Sequence, residues 1–177
     1  QEQLSTFPTL PSGSEVEVNL AALKWMGVLS NKIQRGFILT IDYGYARAQL
    51  SAQAQSSGSL QCRQKHQLIE SPFVAVGECD VTAHVNWTAV ARQAQKQGLN
   101  ICGFTDQHHF LTGIISTYPE FVERADAAGR RQLQTLLHPE TMGRSFQVLG
   151  LSRGVAAEIT LSGFQFASPP QEQLGLG

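Results

Sequence analysis

Nine residues, Gly36-Phe37-Ile38-Leu39-Thr40-Ile41-Asp42-Tyr43-Gly44, constrain the fold more than any other stretch. Phe37 to Ile41 is a short apolar run of β-branched and aromatic residues without polar alternation. It reads as a buried strand of the kind found inside parallel sheets. In open parallel sheets ligands bind beyond the carboxyl ends of the strands, so Asp42, Tyr43 and the turn at Gly44 fall at the candidate site. The same residues also suit a plain turn, with Asp42 accepting from backbone amides and Gly44 supplying positive φ.

What surrounds this strand extends the pattern. Residues 1–13 carry Pro8, Pro11 and Gly13 and are expected to be a loose lead-in. Ser14 and Glu17 have capping-box spacing, and Leu20, Leu23, Met26 and Ile33 follow at helical intervals, predicting a helix from about Ser14 to Gln34. Helix, turn and buried strand make half of a βαβ unit, whose first strand we expect to lie in a longer protein. Residues 45–84, rich in Ser, Gln and Ala, are expected to form an arm over the strand ends.

Asn86 is a good N-cap for a helix from Trp87 to Gln97, and Gly98 is the matching terminator. Leu99 to Phe104 reads as a second strand, reached by a right-handed crossover. Thr105 or Asp106 caps a further helix through Phe110 and Leu111. A helical pair then begins near Pro119 and breaks near Gly129. A third strand is expected at Phe146–Leu151 and a final strand-like stretch at Ile159–Phe166. The tail from about residue 167, rich in Pro, Gln and Gly, is expected to be disordered.

Charge narrows the partners. Thirteen Lys and Arg against fourteen Asp and Glu leave almost no net field, and no long basic run exists to grip nucleic acid. No apolar run approaches the roughly 20 residues needed to span a bilayer. Three cysteines suit a reducing compartment better than a disulfide framework, making a cytoplasmic setting the default.

The chemistry-bearing patterns are few. Neither a GxGxxG nor a GxxxxGK loop is present, and there is no GxSxG elbow. Cys62-x3-His66 with Cys79-x4-His84 has the ligand types of a zinc site, but the spacing lacks the tight knuckles of zinc modules, and no metal is expected. Asp80, Thr82, His84 and Asn86 alternate at period two, so an extended chain would carry all four on one face just ahead of a helix. Asp80 and Asn86 could equally serve as caps, with His84 packed beneath the arm. His108-His109 follow the second strand at the edge shared with Asp42, and being adjacent on a helix they point to different faces. Asn86-Trp87-Thr88 fits a glycosylation sequon, which we take as chance.

At these residues the sequence resembles the MidA family of class I S-adenosylmethionine-dependent methyltransferases. The resemblance runs from about Gly13 to Leu151. It is carried by Ile41-Asp42-Tyr43-Gly44, by Gly58-Ser59-Leu60 with His66, and by Gly77-x-x-Asp80-x-Thr82-Ala83-His84-Val85-Asn86. Gln107-x-x-Phe110-Leu111 and Pro139-x-x-Met142-Gly143-x-x-Phe146-x-Val148-Leu149 complete it. Departures are small: Ser59 stands where Thr is usual, Gln61-Cys62-Arg63 where Arg-Ala-Tyr is typical, and Asp106 where a second Thr is common.

The resemblance implies an α/β fold, the C-terminal part of a Rossmann-like, mostly parallel methyltransferase sheet over residues 14–166. It also implies S-adenosylmethionine as cofactor, held mainly by a glycine-rich loop expected in an absent N-terminal half. No cofactor-binding residue is assigned within this chain. Protein-arginine methylation linked to respiratory complex I assembly is the implied activity, with a protein substrate as partner. The fragment alone is expected to be inactive, and its exposed sheet edge to meet its own N-terminal half or a second copy. Asp42 and Asp80 are the candidate carboxylates for a guanidinium. Tyr43 is the candidate wall, and His66, His84, Asn86 and Gln107 are pocket-shaping groups. The rival reading is a non-catalytic assembly module that retains the fold.

Overall fold

The computed structural model describes residues 12–47, 49–50, 58–74 and 76–176. The lead-in up to residue 11 and the Ser- and Gln-rich segment 51–57 of the arm lie outside them. In chain order the elements are α1 (Leu20–Lys32), β1 (Gly36–Tyr45), β2 (Gln61–Gln64), β3 (Gln67–Ile69), β4 (Asp80–Thr82) and β5 (Val85–Asn86). Then come α2 (Trp87–Lys96), β6 (Asn100–Asp106), α3 (Gln107–Thr117), α4 (Glu120–Glu123), α5 (Ala127–Leu137), β7 (Phe146–Arg153) and α6 (Pro170–Leu174).

The first helix starts later than its sequence pattern predicts. Asn19 is the cap, accepting from the Ala22 amide at 2.9 Å, and the Ser14–Glu17 capping box does not form. Glu17 is drawn elsewhere. Its carboxylate accepts from the Ser59 and Leu60 amides at 2.7 and 2.9 Å and from the Ser59 hydroxyl at 3.0 Å. A turn offering three donors outcompetes the two of a capping box. Gly58 makes the approach possible, because a Cβ there would lie 2.4 Å from Glu17 Oε1 and its φ is +79°.

The main sheet has the order β5-β1-β7-β6. β1 runs parallel to β5 through Gly44↔Val85 and Tyr45↔Asn86, and antiparallel to β7 from Gly36↔Arg153 to Tyr43↔Phe146. β6 also runs antiparallel to β7, so three of the four strands share one direction and β7 opposes them. The α/β class stands, but the third strand inserts between the first two with reversed polarity. The connection forces this. The Gln107 side-chain Nε2 donates to Leu136 O at 2.9 Å and His108 Nδ1 lies 2.7 Å from Leu137 O, so α5 ends where α3 begins, at the carboxyl edge of β6. A strand starting there can only run back across the sheet.

One face of the sheet is closed by α1, α2 and α6. Ile38, Phe104, Leu149 and Leu151 meet Met26, Trp87, Val90, Ala91, Ala94 and Leu174 in a single core. Arg153 ties α1 and α2 together, donating to Ser30 O at 2.6 Å and to Gln97 O, both near helix C-termini where a cation is favoured. The opposite face is closed only over β6 and β7. There Gly103 and Gly150, paired in register, form a seat for the Phe164 ring, and Phe110 meets that ring edge-on at 5.1 Å.

Two expectations for the C-terminal region fail. Ile159–Phe166 is not a strand: Ser162–Phe164 is a single 3-10 turn, which delivers one ring into the glycine slot. Nor is the tail disordered. Leu174 is fully buried in α6, and the Thr88 hydroxyl donates to its carbonyl at 2.7 Å. A polar, Gln-rich composition hid one anchoring leucine.

β1 also departs from its expectation of full burial, since Leu39 and Ile41 are 46% and 52% exposed. Their face, above β1, is the part that α3 and the Phe164 turn do not reach. Within the arm, β3-β2-β4 form a small antiparallel sheet. Lys65 and His66, at φ 49° and 67°, make the two-residue turn between β2 and β3.

Candidate functional site

The carboxyl ends of β1 and β6 and the start of β7 share one edge of the sheet, and two adjoining cavities open along it. The first, about 350 Å³, lies at the end of β6 and is walled by Phe104, Thr105, Asp106, His109 and Phe166. The second, about 500 Å³, lies between the end of β1 and the arm and is walled by Tyr43, Tyr45, Gln61, Arg63, Thr82 and His84. Gln49, Arg144 and Gln147 line both, so the two form one groove.

Strand pleat explains the aromatic wall. Tyr43 and Tyr45 are two residues apart on β1 and so project to one side. The His84 ring stacks on Tyr45 with centroids 4.4 Å apart and a 20° interplanar angle, and meets Tyr43 edge-on at 5.4 Å. Phe146 at the start of β7 extends the wall, 5.9 Å from Tyr43. Gly44 between the tyrosines is required by the close approach of β5: a Cβ there would lie 2.3 Å from Val85 O.

His84 is held from its backbone. Its amide donates to Ser59 Oγ at 3.0 Å, and the Ser59 hydroxyl donates onward to Glu17. The Gly58-Ser59-Leu60 turn is thus a bracket fixing the β4–β5 junction. The ring's Nδ1 is buried without a hydrogen-bond partner. A buried polar atom with no partner is costly.

The sequence candidates divide. Tyr43 and His84 line the groove. Asp42 is exposed, and its carboxylate accepts from the neighbouring Tyr43 amide at 2.8 Å. Asp80 is exposed on β4, opposite Arg63 in register. His66 sits at the exposed hairpin tip. Asn86 caps α2, accepting from the Ala89 amide at 3.0 Å, and the other two residues of the sequon, Trp87 and Thr88, are buried. Gln107 donates to Leu136 O and Met142 O, joining α3 to the end of α5. No group of three or more metal-capable side chains occurs among the described residues.

Sequence reasoning placed the His108-His109 pair at this edge, and His109 lines the groove, but it missed Arg144 and Gln147. His109 Nδ1 lies 2.7 Å from Asp106 Oδ1, an oxygen that also accepts from the His109 amide at 2.8 Å. The signal was present, because an N-cap Asp meets the residue three positions on. Arg144 and Gln147 could be placed only by knowing that β7 starts at the carboxyl edge. Among the described residues no strand ends in a glycine-rich turn of the kind that cradles a nucleotide.

The chain belongs to the family described as "Putative S-adenosyl-L-methionine-dependent methyltransferase", which it matches over residues 2–105, more than half its length. Its sheet is similar to that of a COG1565 superfamily protein from Burkholderia thailandensis. That structure is 24% identical with a TM-score of 0.75, and the match covers 91% of this chain and 46% of the other. A COG1565 superfamily member from the same bacterium, solved with S-adenosyl-homocysteine bound, is 24% identical with a TM-score of 0.74, covering 91% and 44%. At that identity the likeness speaks for the fold. This chain spans less than half the length of either structure. No curated protein matches it.

Proposed function

We propose that this chain is the substrate-facing part of an S-adenosylmethionine-dependent protein methyltransferase. The observation that carries the reading is the groove along the carboxyl edge of β1 and β6, walled by Tyr43, Tyr45 and His84, in a chain whose family is defined by that cofactor. The aromatic wall supplies an apolar surface against which a substrate side chain can be positioned. Cofactor-holding groups come from outside the described residues.

The remainder of the enzyme meets the chain at the free side of β1. Between Phe37 and Tyr43 that edge has no strand partner among the described residues, and Leu39 and Ile41 beside it are exposed. An unpaired edge with apolar neighbours is a template for another strand. The rest of a longer polypeptide is the occupant we propose, and a second copy is the alternative.

The finer reading, methylation of an arginine on a protein such as a complex I subunit, rests on the resemblance to the MidA family. A guanidinium asks for paired carboxylates. Asp42 and Asp80 line neither cavity, so that reading draws its carboxylates from elsewhere in the enzyme. A cytoplasmic setting agrees with free Cys62, Cys79 and Cys102, and no helix among the described residues is long and apolar enough to cross a membrane.

The test is methyl transfer from labelled S-adenosylmethionine into cell-extract proteins by the full natural polypeptide. Tyr43→Ala is expected to lower the rate on the order of tenfold or more through loss of positioning. Unchanged transfer would remove the β1 end from the active site.

A further inference from the structure

The 500 Å³ cavity has an unbalanced charge lining. Two guanidiniums, Arg63 and Arg144, stand on its wall, and no Asp or Glu does. Both are solvent-exposed, and neither makes an ion pair among the described residues. Arg63 Nη2 donates only to the Gln61 side-chain oxygen at 3.3 Å, although Asp80 is its register partner across β2 and β4, and no ion pair joins them. The Arg144 side chain makes no hydrogen bond or ion pair with any described residue. The one carboxylate of the adjoining cavity, Asp106, is engaged by His109 at 2.7 Å.

The His84 ring also lines this cavity, held by the Glu17–Ser59 bracket and the stack on Tyr45. Two guanidiniums with no carboxylate in one concave lining favour an entering anion and disfavour an entering cation.

We propose that this cavity is a subsite for an oxyanion, a carboxylate or phosphate on the molecule that occupies the groove. Arg144 on the β7 side and Arg63 on the arm flank the anion, which bridges the two elements. The proposal concerns binding alone and does not depend on methyl transfer. If the methyltransferase reading also holds, the group beside the modified residue is acidic.

The test is calorimetric titration of this chain with glutarate, inorganic phosphate and N-acetyl-arginine amide, without cofactor. Wild type is expected to bind glutarate or phosphate in a salt-dependent manner, with the preferred probe identifying the anion class, and to bind the arginine amide at least tenfold more weakly. Arg144→Gln and Arg63→Gln should each weaken anion binding about tenfold or more, while Arg131→Gln on exposed α5 leaves it unchanged. Thermal unfolding within a few degrees of wild type verifies that the variants fold. The proposal is overturned if neither anion binds, if Arg131→Gln weakens binding as much as Arg144→Gln, or if the arginine amide binds best.

Discussion

The two sides of the central sheet are finished to different degrees. The β6–β7 side is covered on both faces, by Trp87, Val90 and Leu174 on one and by Phe110 and Phe164 on the other. The β1 side has its inner face covered through Ile38, yet among the described residues its outer edge lacks a strand partner from Phe37 to Tyr43, and Leu39 and Ile41 are exposed. The contrast teaches where this chain is self-sufficient. Half of the sheet is a closed core, and the other half leaves the same kinds of residue exposed.

Substitutions can break that comparison. Leu174→Ala should have the largest effect, about 2–5 kcal/mol in denaturant unfolding, since the side chain is fully enclosed and deleting it leaves a cavity. A loss below 0.5 kcal/mol would mean that α6 is not part of the core. Gly150→Val comes next, at about 1–3 kcal/mol or more, because a Cβ there would lie 2.4 Å from the Phe164 ring. On the β1 side, Ile41→Thr should change the stability of this chain by no more than about 0.5 kcal/mol. In the full natural polypeptide the same change should cost more than it does here, and equal small losses in both would refute an interface on that side.

What the sequence made legible follows local chemistry. Asn86 and Asp106 as caps, Gly98 as a terminator and the apolar runs Phe37–Ile41 and Leu99–Phe104 as strands need only neighbouring residues to be read, whereas β1 continues through the turn expected at Gly44 to Tyr45. What stayed hidden depended on distant partners. Glu17 looks like a capping-box acid until the 58–60 turn appears forty residues later with three donors. The polarity of β7 is invisible in Phe146–Leu151, and with it went Arg144 and Gln147, which a parallel strand would have put at the opposite edge.

The candidate site was legible in part for the same reason. Tyr43 and His84 belong to strand ends, and strand ends face the groove. Asp42, one residue from Tyr43, falls on the opposite side of the pleat, where it is exposed. His109 enters through its i+3 relation to a cap rather than through any motif.

The central claim is that this chain supplies one face of a cofactor-dependent site that needs the rest of the enzyme. Calorimetric titration of S-adenosylmethionine into the full natural polypeptide, beside this 177-residue chain, tests it most directly. The account predicts saturable binding by the full polypeptide and none by the chain alone. Absence of binding by the full polypeptide would contradict the methyltransferase reading, and full-strength binding by the chain alone would contradict the division of the site.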